Sequence, residues 1–95
     1  MAPLRFTGTV DEAQARLRAL IASLPRTTIV SERPGYFHIE FRTALIGYVD
    51  DVQFAFDASA QTIHFRSASR LGMGDMGVNR ARMAEIASLW GAQTP

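Results

Sequence analysis

The sequence contains no cysteine and no lysine. The first absence excludes disulfides, thiolate metal sites and thiol nucleophiles. The second leaves arginine to supply all ten basic residues, a bias that reads first as codon composition, although a planar guanidinium also suits bidentate pairing with carboxylates. A large net charge is missing too. Ten basic residues against nine acidic ones leave +1, too weak a field to gather nucleic acid or an anionic membrane. No apolar run approaches the roughly 18 residues that a membrane span needs, and the opening residues lack the basic-then-apolar pattern of a leader, so a cytoplasmic location is expected. There is no repeat, linker or low-complexity tract, and residues 1–95 read as a single domain.

Hydrophobic residues make up 47 % of the chain and charged ones 20 %, a balance that can bury a core without help from metals or cross-links. Thr9-Val10-Asp11-Glu12 is a capping-box pattern, in which the Thr9 hydroxyl accepts from the Glu12 amide. A first helix should start there, bury Val10, Ala13, Leu17, Leu20, Ile21 and Leu24 on one stripe, and end before Pro25. Four strands follow at about 27–32, 36–42, 50–57 and 62–69. A second helix is expected over about 78–90, with Val78, Met83, Ile86, Ala87 and Trp90 inward.

The strands alternate strictly. Phe37, Ile39, Phe41, then Val52, Phe54, Phe56, then Ile63 and Phe65 share one face, and polar residues take the other. The expected fold is therefore α+β: a two-layer sandwich of order α-β-β-β-β-α, with a four-stranded antiparallel meander sheet and both helices on one face. Pro34-Gly35 suits the centre of a type II turn that sets Arg33 opposite Tyr36 and Val30 opposite Ile39. Pairing Phe54 with Phe65 sets Asp50 opposite Ser69 and Gln53 opposite Arg66, and leaves Ala58 to Gln61 as a loop. Matching Phe41 with Val52 sets Arg42 opposite Asp51. A bulge would shift any of these pairings by one.

This arrangement gathers remote polar residues at one end of the sheet. Arg42, Asp50, Asp51, Arg66 and Asp75 form a polar cluster there, with Arg82 one turn along the second helix. Its simplest role is structural, because three aspartates nearly balance the arginines. The alternative is a site for a small anion at the start of the second helix, using Ser67, Ser69, Arg70, Asn79 and Arg80 as donors. Adjacent strand carboxylates point to opposite faces, so Asp50 and Asp51 cannot share a proton as a dyad. Asp50 should turn inward toward Ser69 and the helix, and Asp51 outward toward Arg42.

Tyr48-Val49-Asp50-Asp51-Val52, Arg66-Ser67-Ala68-Ser69-Arg70-Leu71-Gly72 and Asp75-Met76-Gly77-Val78-Asn79-Arg80-Ala81-Arg82 together make the chain resemble an uncharacterised family, domain of unknown function 1499. The likeness spans nearly the whole chain, and its members look like small bacterial and plastid proteins. The sequence departs from the pattern at Gly47, where an arginine is commoner, and at Met73-Gly74, where a polar pair is usual. The resemblance implies a shared fold and assigns no chemistry.

The outer sheet face offers a second candidate. The expected register puts His38, Ala55 and His64 in one row with Glu40 diagonal to it, a set that could hold a transition metal only if the two rings leaned together across about 10 Å. A solvated or partner-binding surface is the plainer reading. Nucleic-acid stacking is disfavoured because only Tyr36 projects from that face. A Ser/His/Asp triad fails on parity, since Ser67 and Ser69 face inward and His64 outward.

No residue pattern asks for a cofactor or a catalytic set. The leading expectation is a non-enzymatic binding or assembly module, with a second copy or another protein on the open sheet face. An anion binder comes next, and an enzyme using Asp51, His38, His64 or Arg66 comes last.

Overall fold

The structure, a computed structural model, describes residues 3–42, 47–69 and 76–93. Seven elements follow the chain: β1 (Leu4–Arg5), α1 (Val10–Ala22), β2 (Thr27–Arg33), β3 (Tyr36–Arg42), β4 (Val49–Asp57), β5 (Thr62–Ser69) and α2 (Met76–Gln93). Thr9 caps α1: its hydroxyl accepts from the Glu12 amide at 3.1 Å and donates to the Glu12 carboxylate at 3.0 Å. At the far end of α1, the Thr27 hydroxyl reaches the carbonyls of Ile21 and Leu24, both at 3.2 Å, and fixes how the helix hands over to β2.

The sheet has five antiparallel strands in the order β1-β5-β4-β3-β2, not four. The extra strand is two residues long, too short for any periodicity to show in sequence. It covers the outer edge of β5 by setting Leu4 opposite Ile63. Around it, the Phe6 amide donates to the Gln61 carbonyl at 3.1 Å, and the Trp90 indole of α2 donates to the Arg5 carbonyl at 2.7 Å. Leu4 and Phe6 are both buried. Burial of those two side chains is what draws so short a strand onto the sheet.

One core joins the layers. Phe37, Ile39, Phe41, Val52, Phe54 and Ile63 of the sheet pack with Ala13, Leu17, Leu20 and Ile21 of α1 and Met83, Ile86 and Trp90 of α2. Phe56 and Phe65 lie half-buried against this cluster, and Phe56 meets the rings of Phe6 and Phe37 edge to face at 5.9 and 6.2 Å. The side chain of Val78 lies outside the described residues.

The Pro34-Gly35 turn sets Arg33 opposite Tyr36 with Gly35 at φ 78°, the left-handed value a type II turn needs. Farther along this hairpin the expected pairing fails. Ile29, not Val30, lies opposite Ile39, and the register shifts between Ile29 and Ser31. Val30 is the extra residue of a β-bulge, so Ile29 turns to the core and Val30 to solvent, where it is 47 % exposed. The expected parity holds from Ser31 to Arg33 and is reversed from Thr27 to Ile29, because the one inserted residue turns the strand over.

The β4–β5 hairpin has the expected register, with Phe54 opposite Phe65, Gln53 opposite Arg66 and Asp50 opposite Ser69. Between β3 and β4, Phe41 lies opposite Asp50 and Arg42 opposite Val49, a slip of two residues from the expected pairing. A slip of two leaves every side chain on its face. Alternation alone therefore could not detect it.

Candidate functional site

Asp50 and Asp51 begin β4 and point to opposite faces. Asp50 follows the parity of Val52 and Phe54 into the core side, where it is 4 % exposed. Its Oδ2 lies 2.9 Å from Nη1 of Arg82, and the two side chains keep only 5 % and 13 % of their surface in contact with solvent. The Arg82 guanidinium also lies over the Phe41 ring, 4.7 Å from its centre. Phe41 is the cross-strand neighbour of Asp50. The register thus places carboxylate, ring and guanidinium as one stacked unit between β3, β4 and α2.

Asp51 does not meet Arg42. The slip of two residues carries Arg42 past it, and the Arg42 Nη2 instead lies 3.9 Å from Glu40 Oε1. Asp51 takes a diagonal partner, His38, whose Nε2 is 2.8 Å from Asp51 Oδ1 with both side chains about one quarter exposed. The same slip separates the two histidines. Tyr36, Ala55 and His64 now form one row, and His38 stands in the next outward-facing row with Gln53 and Arg66. The row proposed for a metal, His38–Ala55–His64, is therefore corrected, and among the described residues no three His, Cys, Asp or Glu side chains are grouped to hold an ion. Thr62 Oγ1 lies 3.4 Å from the His64 ring.

Of the donors expected for an anion, Ser67 is half-buried on β5 opposite Val52 and Arg80 is exposed on α2. Arg70 and Asp75 lie outside the described residues, as do the side chains of Ser69 and Asn79. Arg66 is exposed and borders a shallow hollow of about 150 Å³ with Asp51, Gln53 and Ala68.

Two larger hollows were not expected from the sequence. One, of about 440 Å³, lies between α1 and the β2–β3 turn and is lined by residues including Gln14, Arg18, Glu32 and Arg33. Gln14 is buried. Its amide donates to the Arg33 carbonyl at 2.9 Å and to Glu32 at 3.3 Å, and its carbonyl accepts from the Gly35 amide at 2.8 Å. Arg18 and Glu32 form an ion pair across this hollow. The hydrogen bond from Arg18 holds the Glu32 carboxyl below the usual glutamate range, and the same bond raises Arg18. The polar groups here are engaged with one another. The signal in sequence was the position of Gln14 on the apolar stripe beside Ala13 and Leu17.

The other hollow is a cleft of about 320 Å³ where α1 ends, β3 ends and α2 passes. Leu24, Pro25, Phe41 and Ile86 give it apolar walls, and Arg26, Arg42, Arg82 and Glu85 line it with charge. Arg26 follows Pro25 in a left-handed conformation, φ 58°. Its Nε donates to the Arg42 carbonyl at 3.2 Å, and the Arg42 amide donates to the Arg26 carbonyl at 2.9 Å.

Among the described residues no helix is long and apolar enough to cross a membrane. Residues 1–89 match the model of the family described as Protein of unknown function (DUF1499). No curated protein and no solved structure matches the chain.

Proposed function

We propose, on the premise that the chain belongs to the DUF1499 family, that it is a single domain acting by binding and assembly, with no catalytic step. In this reading both helices cover one face of the sheet and the opposite face receives a second copy of the chain. The Asp/Arg cluster at the end of the sheet is structural. The observation that carries its role is the Asp50–Arg82 pair, whose two charges are spent on each other away from water.

The outer face supports assembly through its charge order. Glu40 and Asp51 stand in one row, and Arg33 and His64 flank Tyr36 and Ala55 in a row farther along the strands. Arg33 is further held by stacking on Tyr36, 4.3 Å from the ring centre. A copy related by a two-fold axis through the middle of the face would set each acidic row against a basic one, which is the self-complementarity an isologous interface requires. Ala55 between them is small enough for close approach.

The test is the mass in solution by light scattering across a wide dilution series. A mass that climbs toward twice the monomer value and returns to the monomer in Ala55→Glu is the expected result. A constant monomer mass overturns the proposal, and association that survives Ala55→Glu overturns the choice of face.

The anion reading for Ser67, Ser69, Arg70, Asn79 and Arg80 has a separate readout. Stabilisation by phosphate beyond that by chloride at matched ionic strength, lost in Arg80→Gln, would favour it, since a ligand bound only by the native state raises apparent stability.

A further inference from the structure

β1 lies on the sheet as a bound peptide would. Leu4 and Phe6 turn into the core and are buried, while Arg5 between them is exposed. The backbone of this segment is held from two sides. β5 pairs with it along Thr62 and Ile63, and the Phe6 amide donates to the Gln61 carbonyl at 3.1 Å. From the other side, the Trp90 indole of α2 donates to the Arg5 carbonyl at 2.7 Å. An extended segment seated on a sheet edge, with main-chain bonds for affinity and pockets for alternate side chains, is the arrangement of peptide recognition by β-augmentation. The groups that receive β1 also have supports of their own. Arg16 of α1 lies over the Trp90 ring, 5.0 Å from its centre, and Phe56, which meets Phe6, is packed against Phe37 as well.

The attachment of β1 is short. It is two residues long, where β2 and β3 run seven, β5 eight and β4 nine. Pro3 precedes it and has no amide hydrogen with which to carry the ladder beyond Leu4. Segments held by few backbone bonds are the ones that open locally at least cost. Only Thr7 and Gly8 separate Phe6 from the Thr9 cap of α1, and Gly8 turns at φ 83°. Glycine takes either hand of φ at little steric cost, so the hinge that folds β1 back onto its own chain can also swing it away.

We propose that the groove between β5 and α2 is a peptide-receiving site through which two copies of the chain exchange β1. Leu4, Arg5 and Phe6 of one copy seat against β5 and Trp90 of the other, and the exchange is reciprocal. Each contact broken when β1 swings out is made again in the second copy, which is why swapping an identical element is a low-cost route to a dimer. The exchange runs along the β5 edge of the sheet and not across its outer face, and neither proposal depends on the other.

The absence of cysteine makes the exchange readable by cross-linking. Arg5 and Thr62 lie opposite each other, so Arg5→Cys in one chain meets Thr62→Cys in another only when β1 crosses between them. The two single variants are mixed at about millimolar concentration, the order of the effective concentration that a short linker imposes on its own segment, and are then diluted and oxidised. Their mixed disulfide should form about tenfold or more above that between Arg5→Cys and Ala68→Cys, because a disulfide needs Cα atoms within about 7 Å and Ala68 is an exposed β5 residue that β1 does not reach. The cross-link should persist when both chains also carry Ala55→Glu. Equal yields at the two cysteine positions, or a cross-link lost in Ala55→Glu, overturn the proposal. A second measurement leaves the chain unaltered. A synthetic peptide of residues 3–8, added at about millimolar concentration to isotope-labelled protein, should move the amide resonances of residues 4–6 toward unfolded positions while those of Thr62, Ile63 and the Trp90 indole stay in place. The same peptide with Phe6→Asp should be inert. Resonances of residues 4–6 that do not move, or that move equally with the Phe6→Asp peptide, overturn the proposal.

Discussion

Removing either member of the Asp50–Arg82 pair should destabilise the domain, and by different amounts. In Arg82→Ala the carboxylate of Asp50 is left on a strand with 5 % of its side chain exposed and no flexible stem to carry it to water. Leaving one charge of a buried pair uncompensated costs about 3–5 kcal/mol, and the lost contact with the Phe41 face adds roughly 0.5–1 kcal/mol. In Asp50→Ala the remaining charge is on a long side chain that is already 13 % exposed. It can swing outward along its hydrocarbon stem, so the expected loss is smaller, about 2–4 kcal/mol. The double variant Asp50→Asn, Arg82→Met retains similar volume with neither charge and should lose only about 1 kcal/mol, because neutral replacement of a buried pair is often tolerated. Urea unfolding followed by circular dichroism measures all three. With a slope of about 1–3 kcal/mol per molar urea, a loss of about 3 kcal/mol lowers the midpoint by roughly 1–3 M. A loss below about 0.5 kcal/mol in Asp50→Ala, within the range of ordinary surface substitutions, would refute the reasoning, as would a double variant whose loss is the sum of those of Asp50→Asn and Arg82→Met measured alone.

Gln14→Ala removes three hydrogen bonds that tie α1 to the β2–β3 turn and should cost about 2–3 kcal/mol in the same urea assay; a loss under about 0.5 kcal/mol would show that the turn holds itself. The ion pair with Arg18 lowers the folded-state pKa of Glu32, so its contribution is complete above the unfolded glutamate value and disappears as pH falls through the folded one. A carboxyl ¹³C titration should place the Glu32 midpoint below the ordinary glutamate range and move it upward in Arg18→Gln, and an unmoved midpoint would assign the shift to another cause.

The alternation of Phe37, Ile39, Phe41, Val52, Phe54 and Ile63 made the core face of the sheet legible, because side-chain parity is a local property of each strand. Parity also placed Asp50 inward and Asp51 outward. It could not choose between registers that differ by two residues, and this single ambiguity produced both site-level errors: Arg42 set against Asp51, and His38 set in the row of His64. The β4–β5 pairing escaped the problem because a four-residue loop, Ala58 to Gln61, leaves the register little room. Within that loop the Asp57 carboxylate accepts from the Ala60 amide at 3.1 Å and the Ser59 hydroxyl at 2.9 Å. The bulge at Val30 was foreseen only as a possibility, since one inserted residue has no compositional mark in Thr-Thr-Ile-Val-Ser-Glu-Arg. β1 was illegible for a different reason. Two residues carry no period, and what draws them onto the sheet is the burial of Leu4 and Phe6, with a hydrogen bond from Trp90, remote in sequence, to the Arg5 carbonyl. The cleft required knowledge of where Pro25 sends the backbone, and a non-glycine residue at positive φ is not forecast by its type.

The irregularity at Val30 has a consequence for the rim of the sheet. A free outermost strand ordinarily offers a regular ladder of amides and carbonyls onto which an unrelated chain can zip, the route by which sheets grow into fibrils. Here an incoming strand that matched Thr27, Thr28 and Ile29 would fall out of step at the next residue, because the spacing of its docking groups changes there. Growth by lateral zippering is thereby frustrated, and concentrated protein should stay free of cross-β aggregates even though β2 ends the sheet among the described residues.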